Sequence, residues 1–193
     1  AGAAGLDVRM RLGWWSEMMR AVERGEVDAM QGMLYSQERD ATFDFSQAHI
    51  VNHYVAAVRD DAGPPPAKPE DLAGKRLVVQ DGDIMHEFCR KHGLTEQLTL
   101  VDTQQDALRA VAAGRCDCAL VARMTAFYLI EREGWDHLVV GRTPLASPEY
   151  CFAVPHGNKA LLAQLSEGLS AIAHSGEYRR IQEEWLGVHE PGI

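Results

Sequence analysis

The side chains in this sequence able to do chemistry are few, and each has a plain structural reading beside the chemical one. Glu17, Glu38, Asp81 and Asp83 could supply a carboxylate pair for acid–base work in a cleft. No nucleophile elbow, phosphate-binding glycine loop or zinc pattern accompanies them, and the eight histidines are scattered. Cys116 and Cys118 stand two apart on an expected strand, with Cα atoms about 6.5 Å apart, at the long end for a disulfide. With Cys89 and Cys151 they read as small buried thiols, since a lone C-x-C pair is a weak metal signal. No catalytic residue, metal or cofactor is expected.

Arg39 lies between Glu38 and Asp40. It is either a surface arginine or a guanidinium offering two parallel donors to a carboxylate and staying charged when desolvated. Trp15 is either a core residue or a flat apolar wall with a cation-attracting face; Trp14 beside it suits the core role. Gln80-Asp81-Gly82-Asp83 precedes an expected helix, whose N-terminus favours an anion unless Asp83 caps it.

The elements that must position these residues follow from hydrophobic period. Residues 6–12 alternate apolar and polar, predicting a half-buried strand. Ser16 is placed to cap a helix stopped by Gly25, and residues 27–33 and 53–59 read as strands. Residues 60–69 contain Gly-Pro-Pro-Pro, a stiff connection. Beyond it, strands at 76–80, 98–101, 116–121 and 137–140 alternate with helices at 84–92, from Asp102 or Thr103 to Gly114, and at 125–132. A strand at 150–154 leads to helices at 158–174 and 177–186. This alternation predicts an α/β class with largely parallel sheets.

With 193 residues, 46% hydrophobic and 24% charged, the chain has the balance of a globular protein. Its net charge of −9 opposes binding to nucleic acid or anionic lipid. No apolar run reaches the roughly 20 residues of a membrane helix. Any membrane attachment would come through segments outside this chain.

Several short stretches stand in a telling order: Trp15-Ser16-Glu17, Gly32-Met33-Leu34-Tyr35-Ser36-Gln37-Glu38-Arg39, Phe43-Asp44-Phe45-Ser46, Pro69-Glu70-Asp71-Leu72-Ala73-Gly74-Lys75-Arg76, Val78-Val79-Gln80-Asp81-Gly82, Ala112-Ala113-Gly114-Arg115, and Ser175-Gly176-Glu177-Tyr178. Together they resemble the type II periplasmic-binding-protein family, the extracellular solute-binding proteins of family 3. The stretches 35–40, 80–86 and 117–122 resemble a narrower group, the sensor domains of histidine kinases and diguanylate cyclases.

The resemblance implies a two-lobed Venus-flytrap fold. The first lobe takes 1–54 plus 150–193 and the second 55–149. Relatives begin with a strand and helix before the equivalent of Leu6, so the first lobe is expected to lack them. The implied ligand residues are Trp15, Gly32, Met33, Leu34, Arg39, Gln80, Gly82, Asp83, Ala122 and Arg123. Arg39 matches the carboxylate clamp, Trp15 the covering aromatic, and residues 32–34 the backbone that meets the carboxylate. Leu34 replaces a hydroxyl residue, and Ala122 replaces the aspartate that pairs a ligand's α-ammonium. The expected ligand is therefore a small organic anion without an α-ammonium, bound between the lobes.

The implied function is the extracytoplasmic, periplasmic sensor part of an inner-membrane receptor, without enzymatic activity of its own; a dimer is compatible with it. The alternatives are a free solute-binding protein serving a transporter and a cyclohexadienyl-dehydratase-like enzyme.

Overall fold

The computed structural model describes residues 2–186. In chain order the elements are α1 (Trp15–Glu23), β1 (Met30–Leu34), α2 (Gln37–Asp40), β2 (Phe43–Phe45), β3 (Ile50–Val51), β4 (Tyr54–Arg59), β5 (Leu77–Gln80) and α3 (Ile84–Lys91). Then come β6 (Leu98–Val101), α4 (Gln104–Ala112), β7 (Cys118–Ala122), α5 (Arg123–Glu133), β8 (Leu138–Val140), β9 (Glu149–Pro155), α6 (Lys159–Ser175) and α7 (Glu177–Leu186). They divide into two compact units, Ala1–Val51 with Glu149–Ile193, and Asn52–Pro148.

The second unit is built on a five-stranded sheet in the order β6-β5-β7-β4-β8. The strands β6, β5 and β7 run parallel, joined through α3 and α4, while β4 is antiparallel to both β7 and β8. β5 and β7 are apolar runs buried on both faces, whereas the edge strand β6 leaves Thr99 and Leu100 exposed. One face packs Val78, Ala119 and Val121 against Leu108 and Val111 of α4 and Ala126 and Leu129 of α5. Thr103, not Asp102, caps α4 by accepting from the Asp106 N–H at 3.0 Å. At the far end of α5, Gly134 adopts the left-handed conformation that stops the helix.

In the first unit β9 is the central strand, and β1, β2 and β3 all pair with it antiparallel. The expectation of largely parallel sheets thus fails here and holds in the second unit only for β6, β5 and β7, its sheet being mixed. The core here is small: Val22, Met33, Phe43 and Ala153, with Trp15, Met19 and Phe45 half-buried around them. In the seventeen-residue α6 only Gly168 is fully buried, and a Cβ there would come within 2.8 Å of the Ala4 Cβ. The leucines of α6 lie half-covered.

Two local expectations are corrected. Residues 6–12 form no strand: Val8, Met10 and Leu12 are exposed at 51, 65 and 91%. Their alternation is real, but no neighbouring strand among the described residues supplies a ladder, and a lone strand does not hold in water. Ser16 lies inside α1 rather than capping it. The cap position falls on Trp14, whose side chain makes no capping bond.

Asp44 is the polar tie of the first unit. Its buried carboxylate accepts from the Gly157 N–H at 2.7 Å and from Lys159 Nζ at 2.7 Å, pinning β2 to the turn before α6. The Lys159 ammonium, with the Gly157 N–H, holds the Asp44 carboxyl below the ordinary carboxylate value, against the opposing effect of burial. A depressed folded-state pKa stabilises fully above the unfolded value and is lost as pH falls through the folded one. We therefore expect Asp44→Asn to lower the unfolding midpoint at neutral pH. The gap to wild type should close in acid, below the usual aspartate range, when both are followed by denaturant titration across pH.

Candidate functional site

The first unit brings Trp15, Leu34 and Arg39 together. Ser36 caps α2 by accepting from the Arg39 N–H at 3.2 Å, and this single helical turn aims the arginine side chain inward. Arg39 is only 4% exposed, so it is not a surface arginine. Its Nη1 donates to the Leu34 carbonyl at 3.1 Å, and its guanidinium carbon lies 5.5 Å from the centre of the Trp15 ring. A buried cation needs such partners, and the guanidinium plane suits both a carbonyl and an aromatic face. The result is a cation fixed in one orientation.

The neighbouring residues of β1 serve packing. Met33 is fully buried in the core and Leu34 nearly so. At Gly32 the Tyr150 ring lies against the backbone, and a Cβ would fall 2.2 Å from it. A side chain there would have to displace the Tyr150 ring, a constraint set by a residue 118 positions away.

In the second unit Asp83 does cap α3, accepting from the Ile84 N–H at 2.6 Å. It is 6% exposed. The Tyr54 hydroxyl donates to its two oxygens at 3.0 and 3.2 Å, and Gln104 Nε2 donates at 3.0 Å. The same Gln104 accepts from the Ala122 N–H through Oε1 at 3.0 Å. Gly82 takes a positive φ of 69°, and its N–H donates to His86 Nδ1 at 3.3 Å. Gln80 ends β5 half-buried. Ala122 is buried and precedes α5 without a side-chain cap; Arg123 opens that helix, its N–H donating to the His53 carbonyl at 2.8 Å. Tyr54 and Gln104 had no local sequence signal as parts of this network.

Of the other groups weighed for chemistry, Asp81 lies 3.3 Å from His86 and Glu17 3.8 Å from Arg11. No group of three or more metal-ligating side chains occurs among the described residues. The four cysteines are buried free thiols; burial pushes Cys89 and Cys151 up to about 11 and Cys118 to about 12, which keeps them protonated. A cavity of about 370 Å³ in the first unit, lined by Tyr35, Asp44, Ser46, Glu149 and Lys159 among others, contains none of the expected ligand residues. No helix among the described residues is long and apolar enough to cross a membrane.

Comparison with known proteins bears on this geometry. Residues 1–188 match the profile of the bacterial extracellular solute-binding proteins, family 3. A crystal structure of a histidine kinase sensor domain with similarity to periplasmic binding proteins is 39% identical, with a TM-score of 0.93, covering 98% of this chain and 83% of that one. The arginine-, lysine-, histidine-binding protein ArtJ of Geobacillus stearothermophilus is 27% identical, with a TM-score of 0.87, covering 98% and 82%. The L-cystine-binding protein TcyJ of Escherichia coli K12 is 23% identical over 95% of this chain and 69% of its own length. The chain is also 24% identical to the sensor protein EvgS of the same strain, over 84% of this chain but only 13% of that protein.

Tyr54→Phe should remove the shared hydroxyl and leave the buried Asp83 carboxylate short of a donor. The expected cost is about 1–3 kcal/mol in urea unfolding, with Gln104→Leu adding less than its own single effect, because both act on one network.

Proposed function

Because the chain belongs to the bacterial extracellular solute-binding proteins of family 3, we propose that it is the extracytoplasmic ligand-sensing domain of a bacterial receptor, a histidine kinase or diguanylate cyclase. The observation that carries this reading is the 39% identity, over 98% of the chain, to a histidine kinase sensor domain. The transporter-type relatives resemble it more distantly, at 23% for the cystine-binding protein. The domain works in the periplasm, recognising a small solute and catalysing nothing itself. A ligand can drive the attached output only through differential affinity for two arrangements of the receptor.

The ligand is a small organic anion. Arg39 anchors its negative group, held ready by the Leu34 carbonyl and the Trp15 face, so little ordering cost remains at binding. Where amino-acid binders of the family place an aspartate for the α-ammonium, this chain has Ala122. Asp83 does not replace it: Tyr54, Gln104 and the α3 N-terminus all draw on that carboxylate. Burying an unpaired ammonium would cost several kcal/mol.

Calorimetry on the complete receptor domain, titrated with a panel of small carboxylates and the common amino acids, tests this. We expect binding among carboxylates lacking an α-ammonium, weakened about tenfold to a hundredfold by Arg39→Ala, the loss of a charged hydrogen bond. Micromolar binding of a common amino acid, indifferent to Arg39→Ala, would overturn both anchor and ligand class.

A further inference from the structure

Among the described residues one buried side-chain nitrogen, the Nδ1 of His49, makes no hydrogen bond. Such atoms are rare in folded proteins, and each calls for a reason. The His49 ring lies between two others on β9. Its centre is 5.0 Å from that of Phe152, at a tilt of 35°, and 5.5 Å from that of Tyr150, nearer edge-on at 62°.

Around this ring, residues 46–51 form a strap across three elements of the first unit. Ser46 Oγ accepts from the Phe152 N–H of β9 at 3.0 Å. Gln47 Nε2 donates to Ser170 Oγ of α6 at 3.0 Å. The His49 N–H donates to the Tyr150 carbonyl at 3.0 Å, and the His49 carbonyl accepts from the Tyr178 hydroxyl of α7. The residue that wedges the strap against β9 is therefore also the one that α7 holds.

The position suits a neutral imidazole alone. With its proton on Nε2, the ring leaves only an unused lone pair at the buried Nδ1. The imidazolium carries an N–H on both nitrogens, so protonation sets an unmet donor and a full charge between two aromatic rings. No carboxylate offsets that charge. The titratable groups packed against His49 are the phenols of Tyr150 and Tyr178. Burial is the one influence on the imidazole, and it lowers the pKa from the ordinary histidine value. An aromatic face attracts a cation, but loss of water outweighs that gain at a nitrogen sealed from solvent.

We propose that His49 is an acid-sensitive latch: on taking up a proton its ring leaves Tyr150 and Phe152 for water, and the strap 46–51 lets go of α7. The latch belongs to the first unit by itself and does not depend on which solute the domain binds. A histidine with a depressed folded-state pKa stabilises fully above the unfolded value of about 6.5, and that stability is lost as pH falls toward the folded value. Within this window opening takes up one proton, so the opening constant rises about tenfold per pH unit.

NMR on the 193-residue chain, from about pH 7.5 to about pH 5, tests this. The ring signal of His49, assigned by its loss in His49→Phe, should titrate below the ordinary histidine value. Amide exchange protection at His49 and along α7 should fall about tenfold per pH unit in the same window, while β5 in the second unit keeps its protection. In His49→Phe, which retains a ring and has no proton to gain, α7 protection should be independent of pH. His49→Leu makes the same comparison if circular dichroism shows the phenylalanine variant unfolded. A His49 ring titrating at or above the ordinary value overturns the proposal, as does α7 protection that stays constant down to pH 5. So does an equal decline in wild type and His49→Phe, or a decline shared by β5, which would mark general acid unfolding.

Discussion

A carboxylate taken out of water must be met by donors, and in the second unit that demand ties four elements together. Asp83 ends the turn after β5 and caps α3; its other partners are Tyr54 at the start of β4 and Gln104 at the start of α4. Gln104 passes the connection to the backbone at the end of β7. Each partner sits at an element terminus, where the backbone has unsatisfied groups of its own. One acid thereby fixes the end of the sheet from which α3, α4 and α5 depart. A network satisfied at every member sets a single arrangement, whereas an apolar residue at position 83 would leave the helix end open and two donors without purpose.

The first unit meets the opposite problem with a cation. Arg39 is as buried as Asp83, and a carbonyl and an aromatic face are among its partners. Both orient a guanidinium, the carbonyl in the plane of its N–H groups and the ring against its face. The two units thus each bury a charge, of opposite sign, and each fixes its orientation through the ends of short elements.

Much of the second unit was legible in advance, because most of its strands are apolar runs and α4 carries its own stop at Gly114. The first unit was less so. Residues 6–12 alternate as a strand should, but a strand exists only when another chain segment accepts its ladder, and alternation says nothing of that. Ser16 has the right chemistry for a cap but falls two positions past the cap, inside the helix. The antiparallel sheet depends on β9, more than a hundred residues downstream of β1, and local pattern carries no information on such a return. Arg39 and Trp15 came through likeness to a family rather than through spacing. Tyr54, Gln104 and Tyr150 were invisible for the same reason as β9: their importance lies in partners 29, 21 and 118 residues away.

The thiols set the chain's redox exposure. Oxidation and disulfide exchange proceed through the thiolate. A thiol raised to about 11, as for Cys89 and Cys151, is ionised in roughly one molecule in ten thousand at neutral pH. Once folded, these groups are both out of reach and almost wholly unreactive. In the unfolded chain the same groups return to ordinary acidity and open access. Under oxidising conditions, the hazard of wrong crosslinks is therefore confined to the interval before the core closes. Folding speed, rather than native stability, governs how much of the chain survives with its sulfurs unpaired.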